Sequence, residues 1–237
     1  MKSINSALIT ICLVGLFTGC SEPVPLEKGA NRDGHTAPTA ATVKANQKIL
    51  SERPFANRSD FTDARKGFIA KIDGLELRDQ NGNLLFRPDD FSFVDQDGSN
   101  APASVNPSLW RQAALNNIHG LFEVSKGIYQ IRGTDLSNMS IIEGDSGWIL
   151  VDPLTARETA SASFKLAQKH LGKKPVKAIL FTHSHLDHFG GVDGILEHLT
   201  DDEKNNLRII APEGFVEEAT SENIIAGIAM GRRAEFM

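Results

Sequence analysis

The feature that most constrains this chain is the run from Val176 to Gly191. Val176 to Phe181 is apolar apart from Lys177 and leads directly into Thr182-His183-Ser184-His185-Leu186-Asp187-His188-Phe189-Gly190-Gly191. An apolar run of that length suits a strand buried on both faces of a parallel sheet. Open sheets of this kind carry their sites beyond the carboxyl ends of their strands. His183 and His185 can converge on one ion from an extended backbone. Asp187 and His188 can serve a second ion from the turn that follows. Imidazole nitrogen with carboxylate oxygen suits zinc at a catalytic site. Two such ions can share a water and lower its pKa, which gives Asp187 a catalytic part through the metal. Gly190 and Gly191 let the backbone turn tightly into the next helix. Core packing explains three histidines and an aspartate at this spacing poorly, and a purely structural zinc fits less well with no cysteine nearby.

The flanking sequence predicts a mixed α/β sheet. Phe122 to Val124, Ile128 to Ile131, Ser140 to Ile142 and Trp148 to Val151 read as strands punctuated by Gly127, Gly133 and Gly147. Thr155 to about His170 has helical spacing and Gly172 ends it. Leu207 to Ala211 reads as a further strand. Gly190 to about His198 and Ser221 to Met230 read as helices. A strand meander followed by alternating helix and strand is the pattern of a sheet covered by helices. Upstream, apolar residues on both sides of Asn81-Gly82 predict a hairpin. Asn106-Pro107-Ser108 predicts a helix to about Asn116, with Asn106 as its cap. Arg111 on that helix is read as a surface or salt-bridging residue. His35, His119 and His170 are read as exposed or structural.

The amino terminus reads as an export signal. Lys2 precedes an apolar run from Ala7 to Phe17, broken only by Thr10, and Gly19-Cys20 follows. This run is too short to span a bilayer as a helix. Phe17-Thr18-Gly19-Cys20 resembles a bacterial lipobox, in which Cys20 becomes the lipidated first residue. The expected organisation is a signal over 1–20, a flexible tether over 21–54, an arm or subdomain over 55–120 and a hydrolase domain over 121–237. Cleavage before Cys20 leaves 24 basic against 30 acidic residues and Cys20 as the sole cysteine. Such a chain has no internal disulfide framework. Its acidic balance argues against nucleic acid as a partner.

The signature His-x-His-x-Asp-His resembles that of the metallo-β-lactamase superfamily, and Asp152 matches the aspartate that supports its metal site from a neighbouring strand end. Longer blocks resemble the alkyl sulfatase family within it. These are Phe61 to Phe68, Val105 to Gln112, Ile118 to Phe122, Ile128 to Gly133, Asp135 to Met139, Thr182 to Gly191, Ala211 to Phe215 and Glu222 to Ala234. The resemblance implies an αββα sandwich, of which this chain supplies the amino-terminal half. It implies a periplasmic or secreted enzyme holding two zinc ions, which hydrolyses alkyl sulfate esters to alcohol and sulfate. Full-length relatives are expected to be homodimers, and a lipid on Cys20 would tether this chain to a membrane, including an outer membrane. His183 and His185 would bind one zinc, and Asp187 and His188 the other. Arg232 and Arg233 are candidates to hold the sulfate, an anion task suited to arginine.

Two departures from the family pattern stand out. Ile228 occupies a position where the family usually has asparagine. The family also completes its metal shell with carboxylates and a histidine further downstream. After His188 this chain offers only His198, too close to the motif on a predicted helix. Glu213, Glu217, Glu218 and Glu222 are read by default as a solvated face, with Glu222 the one retained as a ligand candidate. Residues 121–237 amount to 117 residues, about half of what a helix-covered two-sheet sandwich requires. The alternatives are another dinuclear zinc hydrolase on the same scaffold, and a non-catalytic lipid-anchored fragment.

Overall fold

The computed structural model describes Asn31 and residues 35–234, with the backbone alone at Met230, Arg233 and Ala234. The export signal and Cys20 lie outside the described residues. The chain divides into two units, residues 1–39 and 40–237. In the first, the His35 amide donates to Asn31 Oδ1 at 2.9 Å. All that follows concerns the second.

The second unit begins with helix α1 (Ala40–Glu52), inside the segment expected as a tether. Its alanines and long polar side chains favour helix, yet none of its residues is buried. Helix α2 (Ser59–Arg65) and strand β1 (Phe68–Ala70) follow. Strands β2 (Leu77–Arg78) and β3 (Leu84–Phe86) pair antiparallel around Asn81-Gly82, and Gly82 takes the left-handed φ of 84° that such a turn requires. A 3₁₀ turn spans Pro88–Phe91. Helix α3 (Pro107–Asn116) starts as its sequence predicts: Pro107 opens it and Asn106 Oδ1 accepts from the Ser108 amide. Arg111 on α3 pairs with Asp60 of α2 at 2.7 Å, so its task is structural. Phe61, Val94, Trp110 and Ala114 close a small core between these elements.

The large sheet has seven strands in the order β1-β4-β5-β6-β7-β8-β9. Strands β4 (Gly120–Ser125), β5 (Ile128–Arg132), β6 (Met139–Gly144) and β7 (Gly147–Val151) form an antiparallel meander. Helix α4 (Arg157–Leu171) then carries the chain to β8 (Val176–Leu180), parallel to β7. A short 3₁₀ turn (Leu186–His188), helix α5 (Val192–Leu196) and helix α6 (Asp201–Asn206) lead to β9 (Arg208–Ile210), parallel to β8. Helix α7 (Phe215–Thr220), a π-helical turn (Ser221–Ile225) and helix α8 (Gly227–Ala234) complete the described residues. The expected single helices over 190–198 and 221–230 are thus shorter or interrupted. The Gly190-Gly191 turn delays the first, and the wide π turn divides the second.

The two sheet faces differ in cover. Leu121, Ile131, Met139, Ile141, Trp148, Leu150 and Ile179 share one face and are buried against Ala160, Phe164, Ala167, Ile195 and Leu199. The rings of Trp148 and Phe164 meet edge to face at 6.0 Å, a geometry that adds about 1 kcal/mol beyond area burial. The alternating residues fill the opposite face, where Val124, Ile142 and Ile210 are exposed. This is one helix-covered sheet of the α/β plan that the sequence implies.

Candidate metal centre

The site lies where β7 and β8 end side by side. Asp152 follows β7, and its amide donates to the Leu180 carbonyl at 2.9 Å. Asp152 and Leu154 both adopt positive φ, 56° and 68°. Such a conformation is uncommon outside glycine and persists only where surroundings impose it. Here Leu154 is wholly buried and its carbonyl accepts from the Gly191 amide at 2.8 Å. The strained turn aims the Asp152 carboxylate at the motif. Its Oδ1 accepts from the Thr182 amide at 2.8 Å, and its Oδ2 accepts from Thr182 Oγ1 at 2.7 Å and contacts His188 Nδ1 at 2.8 Å. Asp152 is only 8% exposed, so these contacts satisfy a buried charge.

The motif side chains gather above this support. The His183 ring lies 4.5 Å from that of His185 and 4.1 Å from that of His188, centre to centre. His188 Nε2 lies 3.2 Å from Asp187 Oδ2. His185 Nε2 lies 3.4 Å from Glu222 Oε1, a residue of the π turn. Gly190 and Gly191 pack where no side chain fits: a Cβ on Gly191 would sit 2.3 Å from the Pro153 carbonyl oxygen. The rings of Phe181, Phe189 and Phe215 pack together at 5.1 to 5.9 Å beside the loop.

Two supporting residues escaped the sequence reading. Asp135, in the loop after β5, accepts from the Thr155 amide at 3.1 Å, from Thr155 Oγ1 at 2.5 Å and from Thr159 Oγ1. It thereby caps α4, whose own cap residue Ala156 offers no side chain for the task. Ser137 in the same loop donates its hydroxyl to the Asp187 carbonyl. The available signal was Asp-x-Ser in a short loop between two strands, which by itself does not say which neighbour it braces.

Arg232 is exposed on α8, and Arg233 shares that helix, its side chain outside the described residues. His198 stacks on Phe164 at 5.9 Å and its Nε2 meets Ser161 Oγ at 2.7 Å. Burial, followed by the charge of Lys165, holds the His198 pKa below its ordinary value. A pocket of about 300 Å³ between Arg53, Asp60 and Arg111 is lined by residues of the α2–α3 region, none of them from the motif.

Among the described residues, no group of three His, Cys, Asp or Glu side chains is spaced to hold a metal ion. The donor chemistry nevertheless fits one. Asp152 takes the Nδ1 side of His188, so His188 Nε2 and Asp187 Oδ2 face each other as two acceptors. A positive charge, carried by a proton or a cation, makes such a contact favourable. A buried carboxylate on the far nitrogen of a histidine is also the usual support of a metal ligand.

Comparison with known proteins agrees with this chemistry. Residues 132–205 match the metallo-β-lactamase superfamily. The chain is 48% identical over 199 residues to a linear primary-alkylsulfatase from a Pseudomonas species, covering 84% of this chain and 29% of that protein. It is 44% identical over 197 residues to the alkyl/aryl-sulfatase BDS1 of Saccharomyces cerevisiae, covering 83% and 30%. The solved structure of the stereoselective inverting sec-alkylsulfatase Pisa1 from a Pseudomonas species superposes with a TM-score of 0.76 at 44% identity, over 85% of this chain and 31% of that one. The chain therefore spans less than a third of the length of these relatives.

Proposed function

We propose that this chain, a relative of the alkylsulfatases within the metallo-β-lactamase superfamily, carries the zinc-holding loop of a hydrolase for alkyl sulfate esters. The observation that carries this reading is the His183–His188 loop, braced by Asp152 at the end of two parallel strands, in a chain with such relatives. His183, His185, Asp187 and His188 would hold the ions. When bound, they would supply positive charge and Lewis acidity toward a sulfate ester. The chain's own residues do the positioning. Asp152 fixes the His188 ring by Nδ1 and ties Thr182 to the same carboxylate. Ser137 holds the Asp187 backbone, and the Gly190-Gly191 turn sets where the loop rejoins the core. The exposed Leu186 of the motif turn, Ile224 and Ile225 of the π turn and Ile228 of α8 give the chain apolar surface that suits a substrate with an apolar tail.

A second reading is favoured by the spacing of the side chains, of which no described three are set to hold an ion. In it the chain binds zinc weakly and turns nothing over. Both readings meet one test: residues 21–237 are expressed, zinc content is measured by elemental analysis and sulfate release from dodecyl sulfate is followed. Bound zinc with turnover supports the hydrolase. Bound zinc without turnover, or no zinc retained at all, supports the second reading and overturns the hydrolase reading of this chain.

The sequence of residues 1–20 supports export with a lipid on Cys20, and so a periplasmic or secreted location. Mass spectrometry of the mature amino terminus tests this. An unmodified residue other than Cys20 at that terminus overturns the lipid anchor.

A further inference from the structure

We propose that the pocket between α2 and α3 is a binding site for a singly charged organic oxyanion, of the class of a short sulfate monoester. The pocket holds about 300 Å³ and takes no residue from the histidine loop, so the inference stands apart from any metal there. Its floor is a closed ion pair. Arg111 donates through Nε to Asp60 Oδ2 at 3.0 Å and through Nη2 to Asp60 Oδ1 at 2.7 Å. The same guanidinium donates to the carbonyl of Phe55 at 3.2 Å and to that of Asn57. Asp60 Oδ1 also accepts from the Phe61 amide at 2.9 Å. The Arg111 side chain is only 14% exposed. A forked pair of this kind is geometrically fixed, and it neutralises the one carboxylate that lines the pocket.

The rest of the polar lining consists of donors with nothing to meet. Among the described residues, the Arg53 guanidinium and the hydroxyls of Ser59 and Ser108 have no partner. Asn57 Oδ1 is occupied by the Ser59 amide at 3.0 Å, which leaves the Asn57 amide NH₂ over. A hydroxyl beside an anion turns its proton toward it, and a guanidinium only donates. These donors come from three segments, the loop after α1, α2 and α3. That spread suits a tetrahedral oxyanion better than a planar carboxylate. With Arg111 and Asp60 cancelling, Arg53 leaves the lining a single positive charge, which matches a monoester and not a dianion. Pro54 and Phe55 supply apolar wall for the organic part of such a ligand.

The test titrates residues 21–237 with hexyl sulfate below its micelle-forming concentration, and separately with sodium sulfate and with hexanol, while backbone amide shifts are followed by nuclear magnetic resonance. Hexyl sulfate is expected to shift the amides of residues 53–60 and 108–111 saturably, and the other two probes to shift them far more weakly. Arg53→Ala is expected to weaken hexyl sulfate binding roughly tenfold or more, the effect of losing a charged hydrogen bond, and Ser108→Ala roughly threefold. Arg53→Lys keeps the charge without the fork and should recover part of the loss. Arg208→Ala, at an exposed arginine of β9 outside the pocket, should change nothing. Arg53 is exposed and α2 stays held to α3 by Asp60 and Arg111, so thermal midpoints should agree across the set. Unmoved pocket amides, or shifts confined to residues 183–188, overturn the proposal. Equal affinity in wild type and Arg53→Ala, or hexanol binding as well as hexyl sulfate, overturns the oxyanion site. Sodium sulfate binding as tightly as hexyl sulfate overturns the monoester class.

Discussion

Replacing Asp135 with alanine should destabilise the sheet unit by about 3 kcal/mol. The carboxylate accepts from the Thr155 amide, the Thr155 hydroxyl and the Thr159 hydroxyl, with the Ala156 amide further off at 3.4 Å. Losing a helix cap costs about 1–2 kcal/mol, and a hydrogen bond to a charged group contributes about 1.5–3 kcal/mol. These figures describe the same atoms in part, so the total lies near the upper value and not at their sum. For a unit of this size each kcal/mol moves the thermal midpoint by about 2–4 °C, giving a drop of about 6–12 °C. Asp135→Asn keeps one acceptor oxygen without the charge and should lose about half as much. Asp145→Ala, in the exposed turn between β6 and β7, should stay within about 0.5 kcal/mol of wild type. Circular dichroism melts and urea titrations of the three variants provide the comparison. If Asp135→Ala melts with Asp145→Ala, the loop after β5 does not cap α4 and its bracing of the site is refuted.

Two further perturbations test other parts of the same construction. The folded chain binds a proton at His198 less readily than the unfolded chain does, because the ring is covered by Phe164 and Ser161 and faces Lys165 and Lys173 as well as Glu197. Stability should therefore be full above the ordinary histidine value of about 6.5 and decline as pH falls below it. His198→Gln should flatten that part of the profile in urea titrations, and an unchanged slope would rule the histidine out. Gly191→Ala should cost about 2–3 kcal/mol, because its Cβ would meet two backbone oxygens at 2.3 and 2.7 Å. Gly227→Ala, with open space around it, should be neutral or slightly stabilising by the same melts; equal midpoints for the two would refute the packing account.

Much of the fold was legible because its signals are local. The Asn106-Pro107 helix start, the Asn81-Gly82 turn and the glycine-punctuated runs of β4 to β7 each depend on residues a few positions apart. Thr200 and Glu203 also form a capping box that opens α6, a pattern present in the sequence but passed over there. The helical segment over 40–52 was missed because its composition resembles a linker and it buries nothing. At the site, the clustering of the motif follows from its spacing. The bracing does not: Asp135 meets Thr155 twenty residues away, and Ser137 meets Asp187 fifty residues away. Glu222 stood out from the neighbouring glutamates only through its matching block, because no helical period anticipates a π turn.

The parallel pairing of β7 with β8 has a kinetic consequence. The meander from β4 to β7 closes through hairpins between neighbouring segments, whereas β8 joins only after residues 152–175 have looped back over the sheet. Contacts that wait on such a loop form late, since the chain entropy is spent before they repay it. Asp152 stands on the early side of that junction and the histidine loop on the late side. The candidate centre is thus assembled across a junction that closes after the β4–β7 meander. The Asp152–His188 contact spans that junction, and an ion held by the loop would tighten it as a brake on reopening: it would slow unfolding and leave the rate of hairpin formation untouched.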